Sequence, residues 1–141
     1  MSIVLGRRKN SVSTLAAGFF AVLLLFLSGC SVVNDLADIG SAGNAFLAEL
    51  NKGNAAGAAA LMHSRALASG DMAAGLQTGF VDRKFSDGTI DSTKVTNSVG
   101  EVSGKCNIND ANGSVQAGVL TMQLEKDGDK WKVLNVSCKL N

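Results

Sequence analysis

The stretch GVLTMQLEKDGDKWKVLNVS, Gly118 to Ser137, carries the pattern that decides the fold. Before its turn Leu120, Met122 and Leu124 recur at every second residue; after it Leu134, Val136, Cys138 and Leu140 do the same. A period of two marks a strand with one buried and one wet face. Asp127, Gly128 and Asp129 between the two runs are turn formers, so VQAGVLTMQLEK and KWKVLNVSCKL read as an antiparallel hairpin. Upstream, NDANGS (Asn109 to Ser114) is a second turn, and KVTNSVGEVSGKCNI (Lys94 to Ile108) reads as one long strand whose Gly100 and Gly104 mark bends or a bulge. SDGT (Ser86 to Thr89) reads as a turn and FVDRKF (Phe80 to Phe85) as a short strand. The chain has no proline to interrupt any of these.

The half before Phe80 has helical punctuation instead. Ser41 is placed to cap a helix through Leu50 that stops at Gly53, with Phe46 and Leu50 on one face and Leu47 beside them. Asn54 is placed to cap a second helix, Ala55 to Ser69, ending at Gly70, and Asp71 a short third from Met72 to Gln77. Alanines dominate the second helix, and small side chains permit close approach to a sheet. The fold class expected is therefore α+β: N-terminal helices packed on a curved antiparallel sheet.

Ahead of this domain lies a leader. Arg7, Arg8 and Lys9 open it, no acidic residue precedes Asp35, and its apolar core, Leu15 to Leu27, is thirteen residues long. That length suits a signal core better than the roughly 20 apolar residues needed to span a bilayer. The core closes on Leu27, Ser28, Gly29 and Cys30, which resembles the lipobox of bacterial lipoproteins. The resemblance implies removal of residues 1–29, a diacylglycerol on the Cys30 thiol, a tether over 30–41 and a folded domain over 42–141. More than one acyl chain would hold the protein stably on a membrane surface without spanning it. Ser31, standing where an aspartate would retain such a protein at the inner membrane, implies the outer membrane, facing the periplasm. The alternative is an uncleaved amphiphilic anchor, extended back to Val12, in which Cys30 is incidental.

Without the leader, 112 of the 141 residues remain, enough for one domain and too few for two. The leader holds three of the 13 basic residues and none of the 12 acidic ones, so the formal charge moves from +1 to −2. With no basic cluster, nucleic acid is not an expected partner. No C-x-x-C and a single histidine, His63, withdraw support from thiol-redox and metal chemistry, and no cofactor is expected.

Cys106 and Cys138 remain in the domain, in a compartment where disulfides persist. If the hairpins are centred on their turns, both cysteines lie opposite Gly118 or its neighbour, flanking one strand. Twice the strand spacing puts them roughly 9–10 Å apart, against about 4.4–6.8 Å for a disulfide. Two readings stay open: a strongly curved sheet, or strand ends leaving the sheet, closes the gap over the glycine, or the two are buried small hydrophobes.

Helices followed by a bent antiparallel sheet, with FLAELNKGNAAGAAALM in the first half and the closing hairpin bearing Trp131 and Val133, resemble the cystatin-like α+β roll of the nuclear transport factor 2 superfamily. More narrowly they resemble its small bacterial lipoproteins of unknown function. The resemblance spans about residues 42–140 and implies a sheet curled round helices to form a pocket, used by different members for catalysis, binding or dimerisation. Its isomerases use a carboxylate base and a tyrosine. This chain has no tyrosine, and of its candidate bases, Asp71, Asp82 and Glu101, Asp71 reads as a helix cap and Asp82, beside Arg83 and Lys84, as a solvated strand residue; no catalytic residue is assigned. His63 reads as a surface or pocket-rim residue, Trp131 as a partly buried sheet residue, and the charges from Glu125 to Lys132 as solubilising.

The function expected is a lipid-anchored binding or interaction module for a small apolar ligand or an envelope protein. Leu120, Met122, Leu134 and Val136 would line a pocket that the helices leave incompletely covered. A small pocket enzyme, isomerase- or dehydratase-like, and a structural envelope-assembly protein are the alternatives; the oligomeric state is open, a homodimer among the options.

Overall fold

A computed structural model describes the backbone from Leu15 and the side chains from Val32. The basic start, the side chains of the apolar core and that of Cys30, on which the expected leader rests, lie outside the described residues. Among those described, no helix is long and apolar enough to cross a membrane. The chain divides into two compact units, Met1–Val33 and Asn34–Asn141. In the first the backbone is helical from Leu15; in the second, helix α1, Leu15–Asn51, supplies the residues from Asn34 on.

Ser41 therefore caps nothing, and residues 34–41, read above as tether, form the start of the domain's helix. The reason is a stripe at helical spacing: Ile39, Gly43, Phe46, Leu47 and Leu50 face the sheet, and the four larger side chains are essentially fully buried. Each glycine inside a helix costs up to about 1 kcal/mol relative to alanine, whereas burying an Ile or Phe side chain contributes about 1.5–3 kcal/mol. Packing wins, and at two points glycine makes the approach close. A Cβ on Gly43 would come within 2.9 Å of Ile90 Cδ1, and one on Gly100 within 2.8 Å of Ile39 Cδ1, so helix and sheet approach closely at both points and a larger residue at either would push an isoleucine terminus aside.

α1 ends as expected at Gly53. Its φ of 74° lets Gly53 N donate to Leu50 O at 2.9 Å and Asn54 N to Glu49 O at 2.9 Å, the paired bonds of a Schellman stop. Asn54 then caps α2, Ala55–Ala60, by accepting from Gly57 N at 3.0 Å. The expected single helix to Ser69 breaks at Leu61 to His63 and resumes as α3, Ser64–Ala68. The break is tertiary: His63 N donates to Val133 O at 2.8 Å and Val133 N to Leu61 O at 3.4 Å, so Met62 forms a one-residue parallel bridge to a strand edge. Asp71 caps α4, Met72–Leu76, through Ala74 N at 3.0 Å.

Phe80 to Phe85 is not a strand. Gln77–Val81 is a wide π-type turn, Asp82 N donating to Gln77 O, and Phe80 and Phe85 meet edge to face at 5.5 Å across the turn that follows. Four antiparallel strands then form one sheet in sequential order: β1 (Ser86–Thr96), β2 (Val99–Asn109), β3 (Val115–Asp127) and β4 (Lys130–Leu140). The expected turn Ser86 to Thr89 is the irregular start of β1, where Asp87 has φ 54° and the register slips before Thr89. The expected long strand Lys94 to Ile108 is two strands, folded at Asn97 and Ser98, whose φ values of 48° and 67° are those of a tight hairpin turn. A second slip in β1, between Ile90 and Ser92, lies opposite Gly104.

The core lies between α1, α2 and the inner face of this sheet, with Val102, Leu120, Met122, Leu124 and Val133 buried against the α1 stripe. The architecture is α+β, helices packed on one antiparallel sheet.

Candidate functional site

The inner face is not uniformly covered. Leu120 is fully buried and Met122 is 2% exposed, so two of the four residues expected to line a pocket are sealed in the core. The α1 side chains occupy the space expected to be open. Leu134 and Val136 differ: both are only half-buried, and they floor a groove of about 530 Å³ whose walls are Met62, Ala66, Met72, Leu76 and Phe80. Each wall residue has a local origin. Met62 is held by the bridge to Val133, Ala66 by α3, Met72 and Leu76 by α4, and Phe80 by the π-type turn.

Leu134 owes its position to a bulge. Gln123 pairs with Asn135 but Leu124 with Val133, leaving Leu134 as an extra residue on β4. This one-residue insertion reverses the phase of alternation. Trp131 and Val133 point inward before it, and Leu134, Val136 and Cys138 pack against the core after it. The signal was present in the sequence as adjacent apolar residues, Val133 and Leu134, where strict alternation allows only one inside.

A clasp of polar groups fixes α3 to the β3–β4 hairpin. His63 Nδ1 accepts from Arg65 N at 3.0 Å, capping α3, while Nε2 donates to Lys126 O at 3.2 Å. Asp127 accepts from Ser64 N at 3.1 Å and Ser64 Oγ at 3.2 Å, and Arg65 pairs with Glu125 at 2.9 Å. Asp35, on α1, accepts from Trp131 Nε1 at 3.1 Å and pairs with Lys126 at 2.9 Å, and that ammonium also sits 5.4 Å from the Trp131 ring centre. The hairpin charges thus orient helices as well as keeping the turn wet, and Trp131 is buried at 6% exposure.

The Ser64 backbone N–H, with Lys132 next, holds the Asp127 carboxyl below its usual range. Lys126, then Trp131, does the same for Asp35, and Asn54, then Lys52, for Glu49. A carboxyl whose folded pKa is depressed stabilises above its unfolded value, near 4, and loses that contribution as pH falls through the folded value. Asp127→Asn is therefore expected to lose most relative to the parent at pH 7, with the difference shrinking below about pH 4. Urea melts at a series of pH values check this; a constant difference would refute it.

Of the candidate bases, Asp71 is the α4 cap, Asp82 accepts from Gln77 Nε2 at 2.7 Å, and Glu101 lies exposed on the outer sheet face. None lines the apolar groove. The outer face carries a polar hollow of about 490 Å³ crossed by a row of paired hydroxyls, Ser92 with Ser103 and Thr121 with Ser137, each at 2.7 Å.

Cys106 and Cys138 are joined, their Cα atoms 6.2 Å apart. Cys106 pairs with Gly118 as expected, but Cys138 lies opposite Leu120, two residues from the expected Gly118: the hairpin pairs Asp127 with Lys130, which shifts the register by one, and the Leu134 bulge shifts it by one more. Gly118 leaves the bond room: a Cβ there would lie 3.2 Å from Cys138 Sγ and 2.6 Å from Lys139 O.

No family model matches the chain, and no curated protein does. A structure from Xanthomonas campestris described as a "Putative calcium/calmodulin dependent protein kinase II association domain" is similar over 70% of this chain and 81% of that one, at 19% identity and a TM-score of 0.49.

Among the described residues no group of three or more His, Cys, Asp or Glu side chains is placed to hold a metal ion. The groove's wall residues Met62 and Phe80 were missed by sequence reasoning. Met62 looks like one more residue of an alanine-rich helix until Val133 breaks that helix, and Phe80 looks like a strand residue until the π-type turn lifts it beside Leu76.

Proposed function

We propose that this is an envelope lipoprotein, anchored through acyl chains on Cys30 and facing the periplasm, whose domain, a cystatin-like roll of nuclear transport factor 2 type, binds an apolar occupant in the groove between α3, α4 and β4. One observation carries the binding part: Leu134 and Val136 remain half-exposed in an open groove walled by Met62, Leu76 and Phe80. An enzyme of the same roll would want an acid in that space with a raised pKa. The groove lining includes no carboxylate, its single charge, Arg65, is paired with Glu125, and the carboxyls whose pKa values move, Asp35, Glu49 and Asp127, all move down. That favours binding over catalysis.

Mass spectrometry of the full-length gene product from a Gram-negative host tests both halves. The anchor predicts a chain beginning at acylated Cys30, and an unprocessed chain for Cys30→Ala; an unprocessed, unacylated parent sinks it. The groove predicts a non-covalent adduct that survives gentle ionisation and is lost in Leu134→Glu with the fold retained. An adduct indifferent to Leu134→Glu removes the groove as the binding site.

A further inference from the structure

Resting on the reading of the groove as a binding surface, we propose that its occupant is an extended polypeptide segment that adds to the free edge of β4 and places alternate apolar side chains in the groove. The sheet has two edges, and they are built differently. The β1 edge is broken by two register slips, a left-handed Asp87, and the charges of Asp87, Asp91 and Lys94. Slips and charges of that kind stop an edge from templating another strand. The β4 edge has none of them past the bulge: its register with β3 is unbroken from Asn135 to Leu140, and Lys139 is its single charge.

The phase of that ladder identifies which groups are free. Asn141 N donates to Ala117 O at 3.2 Å, so the odd-numbered residues of β4 exchange hydrogen bonds with β3. Val136, Cys138 and Leu140 then aim their N–H and C=O groups away from the sheet, at intervals of about 6.8 Å, two strand residues. Among the described residues the backbone bonds made to this edge from outside the sheet are those of Leu61 and His63 to Val133. The chain thus occupies the first step of the edge itself, with extended backbone running parallel to β4, and leaves it as α3 begins at Ser64.

Beyond that step the unpaired edge runs on past the groove floor, Leu134 and Val136. A compact apolar molecule would fill the groove and leave three donors and three acceptors to water; a peptide satisfies both, main chain on the edge and side chains in the groove. With Arg65 already paired, an uncharged segment suits the lining. A second copy's β4 suits it less, because its Leu134 and Val136 floor that copy's own groove and do not supply side chains to this one.

The test is amide hydrogen exchange by NMR on the full-length chain in detergent micelles. The probe is the synthetic octapeptide Lys-Thr-Val-Thr-Val-Thr-Val-Lys, beside a version methylated at every backbone nitrogen. The expected result is fast exchange at Val136, Cys138 and Leu140 in the free protein, slowed at least about tenfold by the first peptide and not by the second. Slowing by neither, or equally by both, overturns the proposal. Protection already present without peptide and lost on dilution also overturns it, assigning the edge to a second copy. If the peptide fails while the adduct sensitive to Leu134→Glu persists, this inference falls and the groove reading stands; if both fail, both fall.

Discussion

Replacing Cys106 and Cys138 together by alanine is expected to cost about 3–4 kcal/mol of stability, the loop-closure entropy of a bond joining residues 32 apart. The bond crosses over β3 at Gly118 and ties β2 to β4, so in the unfolded chain it restrains the segment that forms the central hairpin. Cys106 adds to the cost because it is 1% exposed and its sulfur occupies core volume that alanine leaves empty. For a domain of this size the melting temperature should fall on the order of 15 °C. Thermal and urea melts of the parent, the parent under reductant and the double variant measure this. Parent and reduced parent melting together would mean that the bond contributes nothing to the folded state.

Phe46→Ala is expected to cost about 3–5 kcal/mol, enough to unfold much of the population of a marginal domain. Phe46 is wholly buried at the centre of the α1 stripe, between Gly43, where the helix touches Ile90 and Met122, and Leu50. That close approach leaves the backbone little room to collapse into the space the ring vacates. The control is Leu67→Ala, on the exposed side of α3 at 43% exposure, expected to change stability by about 0.5 kcal/mol or less. Equal losses for the two would contradict the packing described here.

The same residues explain how much could be read in advance. Caps and stops with their own local chemistry were legible: Asn54 and Asp71 through their side-chain oxygens, Gly53 through its positive φ. The final hairpin was legible because its inward residues repeat over more than one full strand. Of the candidate site, Leu134 and Val136 were legible as inward-facing, but not that α1 would seal Leu120 and Met122 while leaving these two open. Coverage depends on where a helix lies over a sheet, and no local pattern encodes that.

By itself, then, the order of residues determined the α+β class, the turns at Gly113 and Gly128, the caps, and two cysteines flanking one strand, because each follows from side chains within a few positions of one another. Tertiary structure alone decided that α1 runs through Gly40 and Gly43, that the second helix breaks at Met62, and that the cysteines come within 6.2 Å. In the two helices, contacts between residues far apart in sequence outweighed a local preference of about 1 kcal/mol, since burying one large side chain is worth more than that.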